Sequence, residues 1–202
     1  MSELYAICHR ANAVSELHAI CQWLAECFTM HKRIANAFFL FLETVGAGVW
    51  VGAMVAFGFA VAGTLFHALP SLTLAGSVNA QILHRLNLLE TVAATLMALA
   101  ALYFLLQPAE RTPIRLGKTV LVLLMGVALF CYGTILTDRL EYLRTVEIRD
   151  FDHFDVAKQA FREEFNQLHT LYTRLVGVNL VLGLGFLLLS AFERNRPYSS
   201  LK

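Results

Sequence analysis

The sequence predicts an all-α polytopic membrane protein, with four transmembrane helices in an antiparallel bundle and an amphipathic N-terminal helix. Two features of composition and one of charge order predict it. Apolar residues make up 57% of the 202, and Asp, Glu, Lys and Arg together only 15%, where a soluble domain carries roughly 25% charged residues. Mean hydropathy is positive. Formal charges are also absent from long stretches: between Glu43 and Arg85, Glu90 and Glu110, Lys118 and Asp138, and Arg174 and Glu193. A net charge of +1 implies no polyanion-binding surface, so no nucleic-acid partner is expected. The partners expected are the lipid bilayer and other membrane subunits.

The first 33 residues form a separate cytoplasmic-face segment. Leu4, Ile7, Ala11, Val14, Leu17, Cys21, Leu24 and Phe28 recur at three- and four-residue steps, which is the stripe of an amphipathic helix lying on a membrane face or a partner. Cys8, His9, His18, Cys21, Cys27 and His31 share this stretch. At 100° per residue the pairs His18–Cys21 and Cys27–His31 fall on different faces, and no CxxC occurs, so buried thiols in a reducing compartment are the ordinary reading. Met30-His31-Lys32-Arg33 before an apolar run has the look of a membrane-protein start, which would make residues 1–29 an extension.

The membrane domain spans residues 34–193. The last three charge-free gaps hold 18 or 19 residues, near the ~20 that cross ~30 Å of hydrocarbon as a helix. The first gap is longer. Pro70-Ser71 and the polar run from Gly76 to Gln81 make one helix plus one turn its best reading. Four spans follow, near 36–67, 84–107, 117–137 and 172–192, each helical because lipid leaves the backbone to satisfy its own hydrogen bonds. A signal peptide competes for the first span, since Ala60-Val61-Ala62 resembles a cleavage site. The apolar run before it is too long for one and carries Glu43, so a retained anchor is expected.

Nine of the sixteen basic residues fall in the N-terminal segment, the 108–118 loop and the 194–202 tail, and none in the 68–83 turn; the 138–171 loop has five against eight acids. This bias predicts both termini in the cytoplasm, in a bacterial inner membrane. The extracytoplasmic loop 138–171 should contain a helix from about residue 155, because Phe154, Phe161, Phe165, Leu168 and Tyr172 step along one face.

Within lipid, close approach replaces hydrophobic burial as the reason for helices to associate. Gly48, Gly52, Ala56, Ala60 and Thr64 repeat every four residues and predict a tight packing groove on the first span. Gly126, Gly133, Gly177 and Gly183 offer further contact points.

Ionisable and amide side chains inside spans are functional suspects because each is costly in lipid unless paired or hydrated. Glu43 is an intramembrane acid of the first span. Asn87, Glu90, Tyr132 and Asn179, from three spans, form the expected buried polar cluster. His67, His84 and His169 lie at similar depth. Three readings compete: internal hydrogen bonding with interfacial histidines, a copper or haem site on those three histidines, and a proton- or solute-conducting cavity relayed by Glu43 and Glu90. No hydrolase, P-loop or dinucleotide motif occurs.

Some of these residues carry a resemblance. Gly48-Val49-Trp50-Val51-Gly52, Phe57, Leu65-Phe66, Leu69-Pro70, Ala75-Gly76 and the run from Phe165 to Tyr172 leading to Asn179 resemble the family related to transmembrane protein 205, over about residues 40–190. More distantly the chain is similar to copper-resistance D type membrane proteins, where a His commonly stands seven residues before the Trp; here that position is Glu43. The closer resemblance implies four spans and adds no mechanism. The resulting expectation is a non-enzymatic accessory or scaffold subunit of a membrane assembly, with no cofactor. The alternatives are a copper- or haem-binding protein and a small proton-coupled or solute transporter.

Overall fold

The computed structural model describes residues 2–153 and 155–195, with side chains described at 23 and across 26–108, 110–153 and 155–195. The side chains of the amphipathic stripe from Leu4 to Leu24, with those of Cys8, His9, His18 and Cys21, therefore lie outside the described residues, as does Phe154, whereas Phe28 at the end of the stripe is exposed. The chain divides into two units, Met1–Phe41 and Leu42–Lys202. In the first, Cys27 and His31 are exposed on the helix.

All regular structure among the described residues is helical. Helix α1, Ser2–Ala56, widens into a π-helical stretch, Phe57–Ala62, and returns to α geometry as α2, Gly63–Ala68. Pro70 ends it, and Ser71 caps the next helix by accepting a bond from the Leu74 amide at 3.0 Å. Helix α3, Leu72–Leu105, follows. A short link leads to α4, Pro113–Phe130, which starts with Thr112 as cap and proline in its first turn, where a missing N–H is harmless. A π-helical stretch, Cys131–Leu136, joins α4 to α5, Thr137–Tyr142, and a second, Leu143–Ile148, completes the rod. The last helix is α6, Gln159–Arg194.

Four helical rods, Glu26–Ala68, Leu72–Leu105, Pro113–Ile148 and Val156–Arg194, are long and apolar enough to cross a membrane, and the chain is an all-α polytopic membrane protein. The shortest has 34 residues, or ~50 Å at 1.5 Å per residue, so the rods outrun the ~30 Å hydrocarbon layer. Two boundaries depart from the sequence reading for that reason. The polar run Gly76 to Gln81 belongs to α3 rather than to a turn, and the turn shrinks to three residues, 69–71. The third rod continues to Ile148, well past residue 137.

The core is a column of Trp50, Met54, Ala93, Met97, Met125, Tyr132, Tyr172 and Phe186. Large apolar side chains such as Phe59, Leu99, Val127 and Val181 point outward, the inside-out surface that lipid requires. Two glycines set the spacing within the bundle. A Cβ at Gly46 would stand 2.7 Å from Met97 Cγ and 2.9 Å from the Ala93 carbonyl oxygen, and one at Gly183 would stand 2.9 Å from Val51 Cγ2.

The expected packing groove is elsewhere. Gly48, Gly52, Ala56, Ala60 and Thr64 are all exposed, and nothing lies within 4 Å of a Cβ built at Gly48 or Gly52. Helix α1 packs on the bundle through Gly46, Ala47, Trp50 and Met54, so the small-residue stripe faces away from it. Of the other glycines, Gly133 and Gly183 make close contacts, and Gly126 and Gly177 face open space.

The segment 149–153 is clamped to the start of α3. Asp152 accepts the Leu72 amide at 2.8 Å and the Thr73 amide at 3.1 Å, and Thr73 Oγ1 donates to Asp150 at 3.1 Å. These amides are the orphan donors of the first helical turn, and carboxylates suit its positive end. The chain reverses at Arg149, whose φ of 64° closes a γ-turn between the Ile148 carbonyl and the Asp150 amide at 2.8 Å.

Candidate functional site

Three α-helical rods meet at Glu90. From α3 its carboxylate accepts a hydrogen bond from the Tyr132 hydroxyl at 2.7 Å. The Asn179 amide of α6 donates to that hydroxyl at 3.0 Å and to the Met125 carbonyl at 3.4 Å. Glu90 is 1% exposed, and Asn179 and Tyr132 are fully buried. The π-turn that carries Tyr132 makes this possible. A π-turn shifts the bonding register by one residue and frees a carbonyl, and here Thr137 Oγ1 donates to the Tyr132 carbonyl at 2.7 Å.

Asn87 lies one turn before Glu90, 8% exposed, and its amide makes no hydrogen bond of good geometry. It packs beside Gly133 of the third rod, where a Cβ would stand 3.6 Å from the Asn87 amide carbon, an ordinary contact distance. Asn179 Oδ1 and Trp50 Nε1 are likewise buried without a partner among the described residues. No Lys or Arg pairs with Glu90 among the described residues. The arrangement is a buried carboxyl group held by one hydroxyl, with the Asn87 side chain beside Tyr172 and the Asn179 carbonyl oxygen without a donor among the described residues.

Glu43 sits in a different group. Its carboxylate takes a hydrogen bond from Lys118, whose ammonium also donates to Glu193 at 2.7 Å. Arg115 bonds Glu193 and reaches Glu110 at 2.8 Å, and stands 4.1 Å over the Phe104 ring. Glu43 is 7% and Lys118 4% exposed. This network ties α1, α4 and α6 at the end of the bundle opposite the Asp152 clamp. Glu43 is thus one member of a structural ion cluster, and no hydrogen bond or ion pair among the described residues joins it to Glu90. Lys118 and Glu193 went unnoticed in the sequence because they stand at span edges, where charges are ordinary; the one signal was Glu43, an acid that needed a cation.

The three histidines do not form a ligand set: among the described residues no group of three or more His, Cys, Asp or Glu is placed to hold a metal ion. His67 is exposed on α2. His169 stacks on Phe165, centroids 6.0 Å apart. His84 and His169 do share one feature, a cavity of about 810 Å³ between α3, the α5 rod and α6. It is lined by polar Asn79, Arg85, Asp138 and Glu141 and by apolar Leu83, Leu88, Leu140 and Phe165. Its wall includes Tyr172, whose ring meets Tyr132 edge-on at 5.6 Å.

Fold and site define a multi-pass membrane protein with a buried polar cluster beneath a large cavity. The chain belongs to the family described as "Domain of unknown function (DUF4149)", which matches residues 45–145. The match takes in Glu90 and Tyr132 and stops before α6, which supplies Asn179. No curated protein and no solved structure matches the chain, so the resemblances to the transmembrane-protein-205-related and copper-resistance D families have no named homologue behind them.

Proposed function

We propose that this membrane protein is a non-enzymatic accessory subunit that docks a transmembrane helix of another subunit on the outer face of its first span, with both termini in the cytoplasm of a bacterial inner membrane. One observation carries the reading: α1 has two close-packing faces and the bundle uses only one. Gly46 meets α3 within van der Waals limits, whereas Gly48, Gly52, Ala56 and Ala60 repeat the same chemistry toward open space. In lipid such a face associates through backbone approach rather than apolar burial. The Lys and Arg bias supports the orientation. Affinity purification of the full chain from its native membrane should recover a second membrane protein in fixed ratio, and Gly52→Leu should release it while the chain stays folded. Recovery unchanged by Gly52→Leu sinks the docking face.

A second reading, a small proton-coupled or solute transporter, is favoured by the cavity wall at Tyr172, one aromatic contact from the Tyr132–Glu90 pair. Flux driven by a pH gradient in proteoliposomes, abolished by Glu90→Gln, would put this reading first. The copper- or haem-binding alternative gains no support from the separated histidines.

A further inference from the structure

The cavity has a charge pattern that neither reading uses. Of the charged side chains on its wall, Arg144 is committed to Glu141 through bonds of 2.6 and 3.1 Å. Arg85 from α3 and Asp138 from the third rod remain, and neither has a partner among the described residues. One free cation and one free anion therefore face the same space without reaching each other. Beside them Asn79 presents a buried side-chain oxygen with no donor. Gln81, His84, Thr137 and His169 add polar groups, and much of the remaining wall is apolar or aromatic, with Leu72, Leu83, Leu88, Leu140, Phe151 and Phe165. The volume, about 810 Å³, falls within the ~300–1,000 Å³ of small-molecule sites.

An unpaired charge at the edge of a bilayer is costly unless a counter-charge or water meets it. An anionic ligand would answer Arg85 and repel Asp138, and a cationic one the reverse. We infer that the cavity holds one membrane phospholipid with a zwitterionic head. Its phosphate lies on Arg85, its ammonium on Asp138, with the Asn79 oxygen as a further acceptor. Its acyl chain runs along the leucine and phenylalanine wall. A bare polar solute would leave that wall wet, and a free hydrocarbon would leave both charges unanswered.

Photocrosslinking of the full-length protein in bilayers tests this, with phosphatidylethanolamine carrying a diazirine on its acyl chain. Parallel arms use phosphatidylglycerol and diacylglycerol probes. Adducts from the phosphatidylethanolamine probe should concentrate on Leu83, Leu88, Leu140 and Phe165 over outward residues such as Leu99 and Val181. Arg85→Gln and Asp138→Asn should each lower the cavity adducts about fivefold, the effect of roughly 1 kcal/mol. Both sites are exposed and unpaired, so the bundle should fold. Gly76→Phe, which fills the cavity from a position with nothing within 4 Å of its Cβ, should abolish the adducts without touching either charge. Even labelling of all outward helices overturns the inference. So does equal cavity labelling by the phosphatidylglycerol or diacylglycerol probe, labelling indifferent to these variants, or full displacement by inorganic phosphate.

Discussion

Replacing Gly46 and Gly52 by alanine separates the two faces of α1. Both substitutions add one methyl group to a helical glycine, and both gain the same helix propensity, up to about 1 kcal/mol. They differ in what the methyl meets. At Gly46 it would stand 2.7 Å from Met97 Cγ and 2.9 Å from the Ala93 carbonyl oxygen. The first neighbour is a buried side chain and the second is backbone, so α1 and α3 must part by several tenths of an ångström. Overpacking of this kind costs about 1–3 kcal/mol. At Gly52 the methyl meets nothing within 4 Å. Because the propensity gain cancels between the two variants, their stability difference is the overpacking cost alone. Thermal unfolding of each purified chain in the same detergent should place Gly46→Ala below Gly52→Ala by about 1–3 kcal/mol. Equal stabilities, or Gly52→Ala as the weaker, would refute the assignment of the inner and outer faces.

Lys118→Met strands the buried Glu43 carboxylate, while Arg115 still holds Glu193, and should cost about 3–5 kcal/mol; adding Glu43→Gln should restore most of it, as a double-mutant cycle in detergent would report. Tyr132→Phe removes one oxygen that serves both Glu90 and Asn179 and should cost roughly 1–3 kcal/mol at the ~0.6–1.7 found per interhelical bond. In the clamp at the start of α3, backbone amides of His153 and Asp152 hold the Asp150 carboxyl down at about 2, below its ordinary 3.8. A depressed folded value stabilises the clamp above the unfolded pKa and is lost as pH falls through the folded one. The melting temperature of wild type should therefore approach that of Asp150→Asn between pH 4 and pH 2, and stay above it at neutral pH.

The spans and the polar suspects could be read from the chain because lipid punishes charge and free amides so strongly. Glu90 and Asn179 stand out in their spans for that reason, and the structure places them in one hydrogen-bonded group with Tyr132. The rotation of each helix could not be read. Gly46 and Gly48 are two residues apart, about 200° around the helix, and only the neighbouring rod decides which of them is buried. The ion network escaped for another reason. Lys118, Glu193 and Arg115 look like interfacial residues, and only the packing of α1 against α4 and α6 brings Lys118 onto Glu43 and Glu193, with Arg115 behind them. The bond from Asp152 to Leu72 joins residues 80 apart and has no local signature.

Four crossings of the bilayer underlie the whole account. The direct test is labelling by a membrane-impermeant thiol reagent in oriented membranes, with the four native cysteines replaced by serine and single cysteines introduced one at a time. Ser71→Cys and His153→Cys should label from one side, and Thr112→Cys and Asn195→Cys only from the other. Labelling of Ser71→Cys and Thr112→Cys from the same side would contradict the bundle and everything placed inside it.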